Sequence, residues 1–382
     1  MKVFILAGEV SGDKLGGALM AGLRKLRPDV TFQGIGGPLM QAQGLTSQFP
    51  MDELSVMGLA EILPKYFHLK RRIRETAEAV LAMQPDVLIT IDAPDFSLRV
   101  AKLVKEASDI RTVHYVAPTV WAWRPKRGAK MAKVIDHVLA LFPFEPPYMT
   151  REGMDCDFVG HPVVGEPVAT EAEAQAFRDR FGIGDAPLVL ALPGSRRGEV
   201  SRLADEFGAS LALFLQDHPD ARVVLPAAGP VFDLVREKVS DWPFDPIILD
   251  PTEADSTATK RAAFRAADLA LAASGTVSLE LAASRTPMVI AYTFNKLTIM
   301  MMRRLFLLDT ATLVNLVSDT RHIPEFWAER CRADLIAPAL SQVLKNPDAQ
   351  HAAMEQTMEA LGRGGEEPGL RAARAIIDRL PK

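Results

Sequence analysis

The chain has 382 residues, of which 48% are hydrophobic and 24% are charged, and its formal net charge is −4. That length exceeds what one hydrophobic core usually supports, so two domains are expected. The small negative charge gives no reason to expect non-specific electrostatic binding of nucleic acid. Two cysteines, Cys156 and Cys331, are too few for a disulfide framework and fit a reducing compartment.

The start of the chain does not resemble an export signal. Its first apolar run, Val3 to Ala7, is short and meets the acidic Glu9 at once. No run of about 18 apolar residues occurs anywhere, so no membrane-spanning helix is predicted. A cytoplasmic location is therefore expected.

The first half of the chain alternates apolar strand-like runs with helical patterns, which predicts a parallel α/β sheet. Strands are predicted at Lys2–Ala7, Val30–Gln33, Val87–Ile91, Arg111–Val116 and Asp136–Phe142, with a short one before Gly160. Helices are predicted at Lys14–Leu26 and Met57–Met83.

Acidic residues follow two of these strands. Glu9 and Asp13 stand in the turn after the first strand, and Asp92 comes directly after the third. Because parallel sheets bind ligands beyond the carboxyl ends of their strands, Asp92 and Glu9 are candidate catalytic residues. Asp13 lies where a carboxylate commonly serves as a helix cap. The turn lacks the G-x-G-x-x-G fingerprint of a dinucleotide site, and the D-x-x-D spacing of Asp92 and Asp95 without a histidine predicts no metal site.

Two segments combine apolar side chains with cations. Within Met57–Met83, and again in Leu297–Leu308, aromatic or methionine side chains alternate with lysine and arginine. The pattern fits a core helix with a solvated basic face, and it also fits a helix that lies on a membrane surface. The residues concerned are Leu59, Ile62, Leu63, Tyr66, Phe67, Lys70, Arg71, Arg72, Met300, Met301, Arg303, Arg304, Leu305 and Phe306.

The loop after the fourth strand holds two of the four tryptophans, Trp121 and Trp123. They could stack on a sugar, contact lipid or seal a domain junction. His161 follows the last strand of this half, and a proline-rich stretch through Pro167 then reads as a linker. Thr170 and Glu173 have the spacing of a capping box, which predicts the start of a helix and of the second domain.

The second half also alternates strands and helices. Its strands are predicted at Leu188–Leu192, Arg222–Pro226, Ile247–Leu249, Asp268–Ala273 and Pro287–Ala291. Leu313–Leu316 is interpreted as a short strand or loop carrying the polar Asn315, and Ala333–Leu380 as mostly helical.

Two turns of this half suit a nucleoside diphosphate. Gly194-Ser195-Arg196 follows the first strand, and Ser274-Gly275-Thr276 follows the fourth. Arg196 would offset the charge of the diphosphate, and free N–H groups at the start of a helix would hold it. Glu280, one helical turn after Thr276, would accept hydrogen bonds from the ribose hydroxyls. Ordinary helix caps with solvated charges are the alternative.

Six motifs together closely resemble those of the lipid-A-disaccharide synthase family, across essentially the whole chain. They are AGEVSGD (7–13), VMGLAEIL (56–63), IDAPDF (91–96), HYVAPTVWAWR (114–124), LPGSRRGEV (192–200) and ASGTVSLE (273–280). The resemblance implies two Rossmann-like α/β domains facing a cleft, the glycosyltransferase-B architecture, with a C-terminal helix that returns to the first domain. The expected ranges are 1–165 for the acceptor and lipid domain, 166–355 for the UDP-sugar domain and 356–382 for the returning helix.

The resemblance also implies a reaction. The family is an inverting glycosyltransferase of lipid A biosynthesis that needs no metal or other cofactor. It transfers 2,3-diacylglucosamine from UDP-2,3-diacylglucosamine to 2,3-diacylglucosamine 1-phosphate, forming a β-1,6 disaccharide and UDP. It works peripherally at the inner face of the inner membrane, so the two cation-rich segments are expected to handle lipid. No nucleic-acid partner is implied, and the oligomeric state stays open, with a homodimer as one alternative.

The family pattern assigns roles to single residues. Asp92 matches the family pattern and is the best candidate for the base that acts on the acceptor hydroxyl, with an orienting role as the alternative, and Glu9, Asp13 and His161 are second-rank candidates. UDP binding is implied for Gly194, Ser195, Arg196, Ser274, Gly275, Thr276, Glu280 and Asn315. The family usually has a proline before that asparagine, whereas this chain has Val314.

Three other functions are alternatives to the glycosyltransferase. A UDP-sugar epimerase of the same architecture would use the nucleotide loops but would not need the apolar, cation-rich segments within Met57–Met83 and Leu297–Leu308. A two-lobed sugar-binding protein would usually be exported, which the N-terminal sequence does not suggest. A dehydrogenase is disfavoured by the absent dinucleotide fingerprint.

Overall fold

The structure is a computed structural model that describes residues 1–54, 59–123, 126–294 and 308–380; within 59–65 it describes the backbone but not the side chains. The chain divides into two compact units. The first consists of Met1–Gly165 together with Gly364–Lys382, and the second is Glu166–Arg363.

The first unit is built on a parallel sheet of six strands in the order β2-β1-β3-β4-β5-β6. These strands are β1 (Lys2–Ala7), β2 (Thr31–Ile35), β3 (Val87–Ile91), β4 (Arg111–Tyr115), β5 (His137–Ala140) and β6 (Asp155–Phe158). Its first helices are α1 (Val10–Leu26), α2 (Pro38–Ala42), α3 (Leu59–Met83), α4 (Pro94–Ala107), α5 (Lys126–Met131) and α6 (Pro146–Thr150). β3 is buried along its whole length, as expected for a strand covered on both faces.

The second unit repeats this plan with the strand order β12-β11-β10-β7-β8-β9. Its strands are β7 (Leu188–Leu192), β8 (Arg222–Pro226), β9 (Ile247–Leu249), β10 (Leu269–Ala272), β11 (Met288–Tyr292) and β12 (Glu325–Trp327). Its helices are α7 (Glu171–Arg180), α8 (Arg197–Asp217), α9 (Phe232–Val239), α10 (Ser256–Ala266), α11 (Val277–Ala283), α12 (Leu313–Ser318), α13 (Ala333–Lys345) and α14 (Asp348–Ala360). Apolar residues of the central strands and of α8 and α13 form one continuous core.

The last helix, α15 (Pro368–Asp378), belongs to the first unit and packs against α1. Glycines make the contact close, since a Cβ at Gly22 would lie 2.6 Å from the carbonyl oxygen of Gly369. Arg371 donates a hydrogen bond to the Phe158 carbonyl at 2.9 Å, and Arg379 pairs with Asp155 at 2.9 Å. The end of the chain therefore fastens α15 to edge strand β6.

The predicted α/β class and the parallel sheets are confirmed, and the capping box of Thr170 and Glu173 is present at the start of α7. Two local predictions were wrong. The segment around Asn315 is helix α12 instead of a strand or loop, and β12 was not predicted at all. β12 has only three residues, which is too short to show the alternating pattern of a strand.

Candidate active site

The two candidate nucleotide loops line one pocket of the second unit, with a volume of about 390 Å³. β7 lies between β10 and β8 in the sheet, so the turns that follow these three strands meet at one edge. The sequence-predicted residues in its lining are Gly194, Ser195, Arg196, Ser274, Gly275, Thr276 and Glu280. Folding therefore gathers seven of the eight proposed nucleotide ligands in one place.

The turn before α11 presents its backbone to this pocket. Gly275 has φ +153°, a conformation that favours glycine, and both Gly275 and Thr276 are exposed. Among the described residues, no protein group accepts a hydrogen bond from the backbone N–H of Gly275 or Thr276. N–H groups at a helix start are well placed to hold the oxygens of a phosphate.

The other turn is organised by Glu199, which the sequence interpretation did not single out. Its buried carboxylate accepts the backbone N–H of Ser195 at 3.1 Å and of Arg196 at 3.3 Å. It also accepts the Arg196 side chain at 3.2 Å and the Tyr292 hydroxyl at 3.4 Å. Burial, followed by the charge of Glu199, raises the pKa of Tyr292.

Gly194 permits this arrangement, since it has φ +122° and a Cβ there would lie 2.5 Å from the Cβ of Glu199. This arrangement limits how the turn can bind an anion. The two amides already hold a carboxylate of the protein, so the Arg196 guanidinium, on a side chain 65% exposed, is the group that this turn offers to a phosphate. Glu199 stands at the third position of α8, the capping-box position, and this was the signal available in the sequence.

Glu280 faces the same pocket and pairs with a residue that sequence reasoning missed. The Nζ of Lys260, on α10, lies 2.7 Å from the Oε2 of Glu280 on α11. Both side chains line the pocket and are partly exposed. The carboxylate expected to bind ribose is therefore held by a lysine twenty positions earlier in the chain.

Asn315 does not line this pocket. It is 1% exposed, and its amide group donates to the Ile323 carbonyl at 2.9 Å and to Glu325 at 3.0 Å, while its oxygen accepts the Ile323 N–H at 3.0 Å. These bonds use its side chain to hold α12 against the segment before β12. Asn315 therefore lies apart from this pocket, with its side chain held by protein groups, and its contact with the nucleotide stays a prediction.

In the first unit, Asp92 follows β3 at the carboxyl end of the sheet. Asp92 and Ala93 have φ of +48° and +44°, a left-handed conformation that is costly for residues other than glycine. The Asp92 side chain is half-buried, and this burial raises the pKa of its carboxyl group. Strained backbone and a raised pKa at a strand end are features of catalytic carboxylates.

Glu9 and Asp13 follow β1, which lies beside β3 in the sheet. Ala7 pairs with Ile91, so Glu9 and Asp92 begin their loops side by side. Asp13 has a different position, since it is buried and its carboxylate accepts the backbone N–H groups of Gly37, Leu39 and Met40 at 2.9 to 3.0 Å. Asp13 therefore caps α2, whereas the sequence pattern predicts a cap of the helix that follows it in the chain, and Asp13 itself lies inside that helix, α1.

His161, after β6, is buried beside Phe142, at 5.4 Å between ring centroids. Burial, with a smaller effect of the Lys14 charge, lowers the pKa of His161 to about 4. Its neutral Nδ1 accepts the Val163 N–H at 3.2 Å. The ring therefore fixes the turn that ends the first unit, and it is uncharged near neutral pH.

A second buried carboxyl group, Glu145, was not foreseen. It accepts the backbone N–H of Leu141 and Phe142 and the indole N–H of Trp121 at 3.0 to 3.2 Å. Burial raises the pKa of Glu145 to about 7. Trp121 is itself buried against Phe144, so this tryptophan seals the interior of the first unit.

The sequence matches a family model described as lipid-A-disaccharide synthetase over residues 3–376. The lipid-A-disaccharide synthase of Ruegeria pomeroyi is 67% identical over 100% of this chain and 96% of its own length. Those of Rhodospirillum centenum and Paramagnetospirillum magneticum are 45% and 42% identical, over 100% and 99% of this chain and 95% and 97% of their own.

The chain belongs to the lipid-A-disaccharide synthase family. It is therefore a glycosyltransferase of lipid A biosynthesis.

Solved structures share the fold. A UDP-GlcNAc 2-epimerase from Neisseria meningitidis, bound to UDP-GlcNAc, aligns with a TM-score of 0.63 at 12% identity, over 100% of this chain and 99% of that one. A co-structure of S. aureus MnaA with UDP aligns with a TM-score of 0.65 at 11% identity, over 98% and 94%. At such identities the likeness shows the glycosyltransferase-B type of fold alone, and the epimerase function is not transferred.

The proposed lipid patch is described only in part. Residues Met300, Met301, Arg303, Arg304, Leu305 and Phe306 lie outside the described residues, and so do the side chains of Leu59, Ile62 and Leu63. On α3, Phe67 is 82% exposed and Tyr66, Lys70 and Arg71 are also exposed. None of the helices in the described part of the chain combines the length and apolar character needed to cross a bilayer.

Arg72 differs from its neighbours in this patch. Its guanidinium donates to Glu53 at 2.8 and 2.9 Å and lies 4.3 Å from the Phe49 ring centroid. Hydrogen bonding to Arg72 lowers the pKa of Glu53. Arg72 therefore anchors α3 to the preceding turn, and its contact with lipid stays a prediction.

Proposed function

We propose that the protein transfers 2,3-diacylglucosamine from UDP-2,3-diacylglucosamine to 2,3-diacylglucosamine 1-phosphate. The acceptor hydroxyl oxygen forms a bond to the anomeric carbon of the donor, and the bond from that carbon to UDP breaks. The hydroxyl proton passes to a base on the protein, and UDP leaves with the bonding electrons. The product is a β-1,6 disaccharide 1-phosphate, with inversion at the donor carbon.

The observation that carries this proposal is the pocket of the second unit, which combines three kinds of group suited to UDP. Gly275 and Thr276 offer backbone N–H donors, Arg196 offers a partly exposed guanidinium, and Glu280 offers a carboxylate. Cationic and N–H donors offset the negative charge that grows on UDP as it departs. Glu280 would accept hydrogen bonds from the ribose hydroxyls.

Asp92 is the proposed base for the acceptor hydroxyl. A general base works best when its pKa lies near the operating pH, and burial raises the pKa of Asp92 in that direction. Its position at the end of β3, beside the Glu9 loop, supports the same role. Glu9 would help to position the acceptor.

Peripheral attachment to the inner face of the inner membrane is the third part of the proposal. Both substrates carry acyl chains, so an enzyme that uses them would reach them at a lipid surface. Exposed Tyr66 and Phe67 on α3, followed by the exposed cations Lys70 and Arg71, suit an anionic bilayer surface.

Acceptor-dependent release of UDP tests this function. The purified protein would be given the donor in detergent, with a chelator present, and UDP would be measured with and without 2,3-diacylglucosamine 1-phosphate. We expect UDP release only when the acceptor is present. Equal release without acceptor would indicate a hydrolase, and conversion of the donor to an isomer without UDP release would indicate an epimerase.

A further inference from the structure

The ion pair between Lys260 and Glu280 has a specific geometry. The Nζ of Lys260 lies 2.7 Å from Oε2 of Glu280, and the same Nζ lies 5.0 Å from the centroid of the Phe264 ring. Phe264 is one turn further along α10 and only 3% exposed, so it is a fixed surface under the ammonium group. Lys260 is thus held from two sides, by a buried ring and by a carboxylate.

Glu280 has less support of its own. Its side chain is 37% exposed, and Lys260 is the side-chain partner that the structure shows for it among the described residues. A long side chain at the surface populates several rotamers unless a contact selects one. Lys260 occupies one carboxylate oxygen and leaves the other, with its two lone pairs, for a ligand in the pocket.

We infer that Lys260 is a positioning residue that fixes the Glu280 carboxylate and thereby makes the pocket select a ribose over a 2′-deoxyribose. The inference rests on the proposed UDP site and adds the origin of its sugar selectivity. Two neighbouring ribose hydroxyls can donate to a carboxylate held in one orientation, whereas a deoxyribose can donate only once. Hydrogen bonds to a charged group are stronger than those between neutral groups, so the second hydroxyl should raise the affinity for the nucleotide measurably.

A direct contact between Lys260 and the diphosphate is the competing role. The pocket already has Arg196 on another turn, and the ammonium group of Lys260 points to Glu280 in this structure. The two roles differ in what the loss of Lys260 does. A contact with the phosphate would strengthen the binding of UDP and of 2′-deoxy-UDP alike. A contact that positions Glu280 would strengthen the binding of UDP more than that of 2′-deoxy-UDP.

The experiment measures the affinities of UDP and 2′-deoxy-UDP by calorimetry for wild type, Lys260→Met, Lys260→Arg and Glu280→Gln. Lys238→Met is the matched control, because Lys238 pairs with Asp205 at 3.2 Å and does not line the pocket. Thermal unfolding of each variant checks that the fold is retained, as expected for a lysine that is 44% exposed.

We expect wild type and Lys238→Met to prefer UDP by about tenfold, the value of one charge-assisted hydrogen bond. Lys260→Met and Glu280→Gln should bring this ratio toward one, and Lys260→Arg should keep most of it. An unchanged ratio in Lys260→Met, with both nucleotides weakened equally, would overturn the positioning role. A wild type that binds both nucleotides equally would overturn it too, while leaving the UDP site intact. Failure of wild type to bind UDP would instead refute the proposed function.

Discussion

The carboxylate of Glu199 lies 3.2 Å from the guanidinium of Arg196 and also accepts the backbone N–H of that residue. One buried acid thus fixes both the main chain and the side chain of the arginine that faces the pocket. A protein carboxylate occupies amides that a phosphate could otherwise use. The turn after β7 therefore contributes a positioned cation, and the turn after β10 contributes the open N–H groups.

Arg196 should contribute to UDP affinity, whereas its neighbour should not. Arg196→Ala removes the cation that lines the pocket, and we expect UDP to bind roughly tenfold more weakly. Arg197→Ala is the matched control, because Arg197 is also exposed but does not line the pocket. Calorimetry with UDP would compare the two. Equal affinities for both variants and wild type would remove Arg196 from the nucleotide site.

Glu199 should matter for stability. Glu199→Ala leaves the N–H groups of Ser195 and Arg196 and the hydroxyl of Tyr292 without their acceptor, so the free energy of unfolding should fall by about 2 kcal/mol. Asp205→Ala is the control on the same helix, since its pair with Lys238 is on the surface and should be worth less than about 1 kcal/mol. Urea denaturation measures both, and equal losses would contradict the anchoring role.

Asp92 should be required for the chemical step but not for nucleotide binding. Asp92→Asn is expected to lower turnover at least a hundredfold, roughly the contribution of a general base, while UDP affinity stays unchanged. Asp95→Asn, an exposed position in the first turn of α4, is the control. Turnover in Asp92→Asn close to that of wild type would exclude Asp92 as the base.

The raised pKa of Asp92 gives two further outcomes. The base must be deprotonated, so kcat/KM should fall on the acid side at a pH above that of an ordinary aspartate. Burial favours the neutral carboxyl in the folded state, so stability from this group is present at low pH and is lost as pH rises through the raised pKa. At neutral pH Asp92→Asn should therefore match or exceed the wild-type melting temperature, since asparagine also tolerates the left-handed backbone. A lower melting temperature would contradict this.

Phe67 should govern attachment to lipid. Phe67→Ser removes a large exposed ring, and we expect sedimentation with anionic vesicles to weaken by about tenfold in partition coefficient. Leu103→Ser on α4 of the same unit is the control, because Leu103 is exposed but lies outside the patch. If both variants sediment like wild type, the membrane role of α3 fails.

The sequence was informative where a signal is local. Buried strands in both units appear as apolar runs, and the turns that follow β7 and β10 appear as small residues beside charges, so the parallel sheets and most of the pocket could be predicted. The surroundings of Asn315 could not be predicted, because Ile323 lies just before β12 and Glu325 is its first residue, and that strand is too short to recognise.

Contacts between distant positions left no such signal. Lys260 meets Glu280 only when α10 and α11 are placed side by side, and Asp13 meets the amides of residues 37, 39 and 40 only when β1 and β2 are paired. Arg72 and the exposed Arg71 are neighbours in the sequence and look alike there. The ion pair of Arg72 with Glu53 gives Arg72 a different role in the fold. In each case the partner, and not the residue itself, determines the role.

Identification of the reaction product tests the proposed function most directly. Purified protein would be incubated with UDP-2,3-diacylglucosamine and 2,3-diacylglucosamine 1-phosphate in detergent with a chelator, and disaccharide and UDP would be quantified together, with the new linkage assigned by NMR. We expect one UDP for each disaccharide and a β-1,6 linkage. UDP without disaccharide, or a disaccharide with an α linkage, would contradict it.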